Sequence, residues 1–419
     1  MRILFLTPEY GADVGTGGIG TYVATAAEAM VMLGHEVHVL VCSPDREAVD
    51  ERVGAVVVHH RATVRIRGLH RFSPGSRTAD RVASAVSAFV HWARLDLDFD
   101  VIESPEWMAA GLLFGWSRVA PLVTHLHTPL SVIERYNLQP ADRDGRWADA
   151  LERMTARAAS EITSPSNLLV NELRSVGWLK PTQRVEIVPL PVDVAGWSSA
   201  RDVASTEPVV VVVGRVEARK DPLLVARAVI AAGLRVPNVR VAFIGRSSGD
   251  VGGTPYAEWV EAEAGDRRCR FVGEVPWDAV RAWYDRARVV VVASRFESFS
   301  IAAIEAMASG RPVVVSDRVG AAELIAGSDG GRCVAVGDEA ALTEALLPFL
   351  SDPAAAAASG RAARAIVERA CSPRSVAACR IDVYRRAVAP SPQSSFLRSR
   401  RLAVRRLGRS AATVLRVIA

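Results

Sequence analysis

Short, almost unbroken Val/Ile/Leu runs recur along the whole chain, separated by Ala-rich stretches with a helical period. In the first half the runs are RILFLT (2–7), EVHVLVC (36–42), VVVHH (56–60), DVIES (100–104), LVTHLH (122–127), EITS (161–164) and VEIVPL (185–190). The second half gives VVVVVGR (209–215), VRVAFIG (239–245), CRFVG (269–273), VVVVAS (289–294), PVVVS (312–316) and RCVAV (332–336). A strand that is apolar on both faces must be covered on both faces. The runs therefore predict parallel sheets whose covering helices supply the right-handed crossovers. At 419 residues the chain exceeds one ordinary core. The fold class is α/β: two doubly wound, Rossmann-like parallel-sheet domains, 1–190 and 209–372, joined by a linker at 191–208. Ligands of such sheets bind beyond the carboxyl ends of the strands, so the cleft between the domains is the expected site.

Charge and cysteine usage narrow the function classes. The formal net charge is +5, yet residues 391–419 carry seven arginines and no acid. Without that tail the chain is slightly acidic, and no aromatic platform accompanies the arginines, so nucleic acid is a poor partner. The tail reads as a basic amphipathic helix on an anionic membrane surface, as a disordered extension, or as a partner-binding helix. The five cysteines are scattered and form no CxxC pair, which predicts reduced thiols in a cytoplasmic protein and no metal cluster. MRILFLTPEY reads as a first buried strand and not as a signal peptide.

The chemistry-bearing motifs sit at predicted strand ends. In SRFESFSIAAIEAMASGRP (294–312), Glu297 falls in a loop and Glu305 in the following helix. Between them the N–H groups of Phe299, Ser300 and Ile301 form a helix start, a ready anion site. Two acceptor-only carboxylates flanking an anion site suit a ligand with hydroxyls on both sides of a phosphate, the shape of a nucleotide sugar. In GRVEARKDP (214–222), Arg215 and Lys220 are fixed cations suited to a diphosphate. Lys220 is one of only two lysines in the chain. GTGGIG (15–20) fits a dinucleotide fingerprint with Asp45 as the ribose acid, a structural turn, or a Gly loop whose N–H groups, at Gly17 and Gly18, approach a phosphate. The eight residues from Pro8 to Gly15 favour the last reading. His125 and His127 in THLHTP share one face, and His127 reaches the cleft rim. Glu103 and Glu106 in ESPEW follow a strand end and are candidate acceptor contacts. Asp96 and Asp98 in DLDFD read as a solvated turn rather than a metal site. In FVGEVPW (271–277) the backbone from Val272 to Val275 is placed to hold a base edge.

Together these residues resemble the GT4 family of retaining glycosyltransferases, which have the GT-B fold, from Met1 to about Val388. ESFSIAAIEAMASGRPVV is similar to the family's E-x7-E element, GRVEARK to its diphosphate motif, and TGGIGTYV with LGHEVHVL to its N-terminal loop, helix and second strand. His127 matches the family histidine, and VGAAELI (319–325) a stretch in which a glutamate begins a helix. The resemblance implies that Arg215 and Lys220 bind the donor diphosphate, that Glu305 takes the ribose and that Glu297 takes the transferred sugar. Backbone at Gly17, Gly18, Ser298, Phe299 and Ser300 would complete the donor site. It also implies that 373–390 crosses back onto the first domain.

The chain departs from the family pattern at Pro191, which replaces Gly in the usual Asn-Gly before Val-Asp at the linker, and at Ser298 and Ser300, which stand where Gly is frequent. The implied reaction is metal-independent and cofactor-free, with same-face attack forming an α-linkage. The donor phosphate oxygen takes the acceptor proton, and His127 orients the sugar. The implied location is the cytoplasm, at the inner face of the cell membrane if the tail binds it. The rival readings are a nucleotide-sugar epimerase and an NAD-dependent oxidoreductase built on GTGGIG.

Overall fold

The computed structural model describes residues 1–11, 17–44, 47–64, 66, 75–140, 142–199 and 201–389. Gly15, Thr16, Asp45 and the tail 391–419 lie outside the described residues. The first sheet contains β1 (Arg2–Thr7), β2 (Glu36–Ser43), β3 (Val49–Val53), β4 (Val56–Ala62), β5 (Val101–Pro105), β6 (Leu122–His125), β7 (Glu161–Ser164) and β8 (Glu186–Ile187). Its order is β3-β4-β2-β1-β5-β6-β7-β8. The second domain has β9 (Val209–Val213), β10 (Arg240–Ile244), a small hairpin of β11 (Asp250–Val251) and β12 (Thr254–Pro255), then β13 (Cys269–Gly273), β14 (Val289–Val292), β15 (Val313–Ser316) and β16 (Gly331–Val334). Its sheet runs β13-β10-β9-β14-β15-β16.

Every predicted run contains a strand, and both sheets are parallel except where β3 pairs antiparallel with β4. That strand, VDERV, is exposed along its whole length and has no apolar run to announce it. Its charges cover the open edge of β4. The run at 185–190 forms only Glu186–Ile187, because Pro189 and Pro191 lack the N–H that a ladder needs. Val210, Val290, Val291, Val313 and Val314 are fully buried at the centre of the second sheet. Ile3, Val39, Val58 and Val101 play the same part in the first.

The linker belongs to the second domain by packing. Trp197 is buried between Trp277 (ring centroids 4.5 Å) and Tyr284 (5.4 Å). Arg311 donates to Ser199 Oγ at 2.6 Å and to the Arg201 carbonyl at 2.8 Å. The chain returns beside the linker, where the Val192 amide donates to the Cys371 carbonyl at 2.8 Å. The helix Pro373–Val388 then packs against the helix Gly18–Met32 of the first domain.

This last helix places Arg380 in the first-domain core, fully buried. Arg380 donates to Glu103 at 2.8 Å and lies over the Tyr22 ring at 4.6 Å. Tyr22 and Tyr384 hydroxyls also donate to Glu103. A buried charge is tolerated when it is paired and hydrogen-bonded, and removing one partner is costly. We predict that Arg380→Met destabilises the protein by about 3–5 kcal/mol. Adding Glu103→Gln should recover much of that loss. Chemical denaturation followed by circular dichroism checks both, and a single variant as stable as the parent would contradict the pairing.

Candidate active site

Two loops at the carboxyl ends of β9 and β14 form one side of the cleft, and they are stitched to each other. The Arg295 amide donates to the Arg219 carbonyl at 2.8 Å, and Arg295 Nε reaches Asp221 at 3.0 Å. The buried Arg219 guanidinium donates to the Phe296 carbonyl at 2.8 Å and to Glu217 at 2.6 Å. Arg219 is the cation that motif reading passed over, although it stands inside GRVEARK. The β9 loop also passes close to the end of β10, where a Cβ on Gly245 would lie 2.2 Å from the Gly214 carbonyl oxygen.

Lys220 and Glu297 form an ion pair at the base of these loops. Ser294 Oγ donates to the same Glu297 oxygen at 2.6 Å. Burial by itself would raise the Glu297 pKa, but the charges of Lys220 and Arg219 and the two hydrogen bonds bring it down to about 2. Burial lowers the Lys220 pKa, opposed by Glu297. Arg215 stays half exposed, 3.5 Å from Glu217.

The helix Ile301–Ala308 begins directly after this loop, capped by Ser300. The amides of Phe299 and Ser300 donate to no group among the described residues. Ser300 holds φ 93° and ψ 96°, a conformation that costs any side-chain-bearing residue and that Gly takes freely. Glu305 lies inside this helix, buried, with the Tyr284 hydroxyl donating to it at 3.3 Å. No cation offsets its burial, so its pKa is pushed up to about 8. The indole Nε1 of Trp277, which packs on the same core cluster as Val272 and Val275, is buried without a partner among the described residues.

The first domain faces these groups. A Cβ on Gly18 would lie 3.1 Å from Ile301 Cδ1, so the starts of the helices Gly18–Met32 and Ile301–Ala308 meet. Glu9, unremarked in the sequence, accepts from the Gly20 amide at 3.1 Å, and a Cβ on Gly17 would crowd its carboxylate. Ser166 Oγ donates to the Ser298 carbonyl at 2.6 Å, and Tyr136 stacks on Phe296 at 4.9 Å. Arg318 bonds Glu172 at 2.7 Å, and Glu323 receives the Leu168 amide at 2.7 Å. The Glu323 carboxylate therefore joins the domains.

His127 lies just past β6. Its amide donates to both Glu106 oxygens, at 3.0 and 2.9 Å. Its ring stands edge-on to Tyr22 at 5.2 Å and to His125 at 4.8 Å. Burial, followed by the Arg380 charge, lowers its pKa to about 3, so the imidazole is neutral. His125 is a core residue bonded to Thr163 at 2.8 Å. Glu103 and Glu106 do not fit the acceptor contacts expected of them. Glu103 is enclosed by Arg380, Tyr22 and Tyr384, and Glu106 is fully buried beneath the His127 loop. Burial raises the Glu106 pKa to about 8.

Residues 16–195 match the family described as Glycosyltransferase Family 4, and residues 207–352 match Glycosyl transferases group 1. The chain is a GT4-type glycosyltransferase. The enzyme is 26% identical over 385 residues to a glycogen synthase of Mycobacterium tuberculosis, covering 87% of this chain and 89% of that one. It is 30% identical over 282 residues to a D-inositol 3-phosphate glycosyltransferase of Kribbella flavida, covering 63% and 66%. Its fold is that of the sucrose-phosphate synthase of Thermosynechococcus elongatus, with a TM-score of 0.74, 21% identity and coverage of 93% and 100%. The Anabaena protein HepE, solved with UDP and glucose, gives a TM-score of 0.65 at 18% identity, with coverage of 91% and 99%. The fold is therefore GT-B.

The Ser300 backbone carries a local prediction. Ser300→Gly should relieve the strained cap and raise stability by about 1 kcal/mol. Thermal unfolding checks this, and a lower melting temperature would show that the Ser300 Oγ contact to the Ala303 amide outweighs the strain.

Proposed function

We propose that the enzyme is a retaining, metal-independent hexosyltransferase that moves sugar from a nucleoside-diphosphate donor to a hydroxyl-bearing acceptor with an α-linkage. The observation that carries this is the pairing of an ionised Glu297 on Lys220 with unused amides at the adjoining helix start and a proton-bearing Glu305 further along the same helix. Lys220, Arg215 and the Phe299 and Ser300 amides supply positive potential for a diphosphate, with backbone at Gly17, Gly18 and Ser298 beside them. Glu297 stays charged beside that potential and accepts from sugar hydroxyls. Glu305, further along the helix, accepts from ribose hydroxyls, with the base held along the backbone at Val272.

In this reaction the bond from the anomeric carbon to the phosphate oxygen breaks, and the acceptor oxygen bonds to that carbon on the same face. The acceptor proton passes to the departing phosphate oxygen. His127 is neutral and too weak a base to hold that proton near neutrality, so its part is to orient the sugar. Charge builds on the leaving diphosphate as its bond breaks, and the fixed cations are stronger there than in the ground state. In this reading Arg215 and Lys220 supply the positive charge that a divalent ion would otherwise bring to the diphosphate. The unpaired cysteines Cys42, Cys269, Cys333, Cys371 and Cys379 support a reducing, cytoplasmic setting. No helix among the described residues is long and apolar enough to cross a membrane.

A panel of UDP-, GDP- and ADP-sugars, read by thermal stabilisation and donor turnover, tests the assignment. One of these donors should stabilise the enzyme and be turned over. Lys220→Ala should lower that turnover by on the order of 100-fold or more. Stabilisation by NAD alone, or undiminished turnover in the variant, would overturn it.

Glu305 adds a pH dependence. Its pKa in the empty site is about 8, so at pH 7 it carries a proton. The carboxylate form accepts from two hydroxyls, and nucleotide binding therefore favours proton release. Nucleotide affinity should rise as pH increases from 6 to about 8 and then level off. Calorimetry in buffers of different ionisation enthalpy should detect the released proton, and Glu305→Gln should abolish both the slope and the release.

A further inference from the structure

The helix Arg143–Ala158 in the first domain turns its acids inward. Asp144 accepts from Ser76 Oγ at 2.8 Å and from the Arg77 amide at 2.7 Å. Asp149 accepts from Ser131 Oγ at 2.5 Å and from the Trp178 indole at 3.1 Å. Glu152, fully buried, takes Arg81 at 2.8 Å and the Leu130 amide at 2.9 Å. The outward stripe follows the helical spacing 143, 146, 147, 153, 154, 157 and holds four arginines, one tryptophan and one methionine. Trp147 is 61% exposed and Met154 38%. Arg143, Arg146, Arg153 and Arg157 make no ion pair among the described residues. The patch continues onto the helix Leu112–Ser117. There Gly115 abuts Ala158, a Cβ on it lying 2.6 Å from that of Ala158, and Trp116 is 50% exposed.

An outward face of this kind has a definite partner chemistry. Large apolar side chains in water are unfavourable unless something covers them. The cover must carry negative charge, since four arginines frame the apolar groups. The chain's own tail does not qualify, because residues 391–419 contain seven arginines and no acid. A second copy laid on the same face would oppose arginines with arginines. A nucleic acid would satisfy the charge and leave Met154 and Trp147 without an apolar environment. A lipid surface with anionic headgroups satisfies both: Trp and Met enter the headgroup–acyl boundary while arginine heads reach phosphates.

We propose that the outward face of the helix Arg143–Ala158, extended by Trp116, docks on an anionic lipid surface. The inward face of this helix holds the Leu130 and Ser131 amides, just after His127. Docking therefore brings the acceptor side of the cleft to within about 10 Å, one helix diameter, of the membrane and fits an acceptor carried by a lipid. This inference is independent of the donor-site assignment, because none of its residues belongs to that site.

The test uses the full chain and vesicles of phosphatidylglycerol or phosphatidylcholine. Binding should favour phosphatidylglycerol. Trp147→Ser with Met154→Ser should weaken binding by about tenfold or more, with nucleotide affinity and melting temperature unchanged. Brominated phosphatidylglycerol should quench part of the tryptophan emission, and Trp147→Phe should remove much of that part while keeping vesicle binding. Equal vesicle affinity in the double variant, with all binding lost on deletion of 391–419, would assign attachment to the tail alone and overturn the proposal. Unchanged quenching in Trp147→Phe would overturn it as well, as would tight binding of duplex DNA by the parent with no preference for anionic vesicles.

Discussion

The buried charge of Arg380 is the constraint on which the two-domain arrangement rests. The chain leaves the second domain, runs beside its own linker and inserts one guanidinium into the core of the first. There Glu103, two tyrosine hydroxyls and the Tyr22 ring surround it. An unpaired guanidinium in such a core would cost several kcal/mol, so the helix Pro373–Val388 has one seat. The same charge lies close enough to His127 to help hold its imidazole neutral. One ion pair thus fixes where the C-terminal helix sits and what protonation state is available at the cleft rim.

The donor side shows how two buried glutamates eight residues apart acquire opposite characters. Glu297 has Lys220, Arg219 and Ser294 at hand and keeps its charge. Glu305 has only a tyrosine hydroxyl and holds its proton. Neighbours, more than depth, set the difference, since both are buried to the same extent. Between them the chain accepts a strained residue at Ser300, in keeping with the tendency of functional sites to store local strain where the surroundings over-determine it.

Much of this was legible in the sequence because it is local. A buried parallel strand is written as an apolar run, and all the runs hold strands. Arg215, Lys220 and Glu297 lie in the loops that follow β9 and β14, and Glu305 in the next helix, an order that the chain alone predicts. What was not legible depends on distant partners or lacks an apolar signature. The edge strand Val49–Val53 is polar because its task is to face water. Glu106 follows the end of β5 as an acceptor-binding residue would, whereas Glu103 lies inside that strand. Only the arrival of Arg380, nearly three hundred positions later, and the backbone turn at His127 reveal that both are internal supports. Arg219 was overlooked because spacing drew attention to the cations on either side of it.

The loops that carry Lys220 and Glu297 are also the loops that touch the first domain. Phe296, adjacent to Glu297, stacks on Tyr136, and the Arg219 amide donates to Asn137. Ser298 accepts from Ser166. On the proposed assignment the donor pocket is thus shared by the domains, and a hinge motion that separates them would also open the pocket. In that proposal, substrate capture and the release of spent nucleotide are two directions of one mechanical cycle. The contacts that such a cycle must part and re-form are an aromatic stack and a few hydrogen bonds.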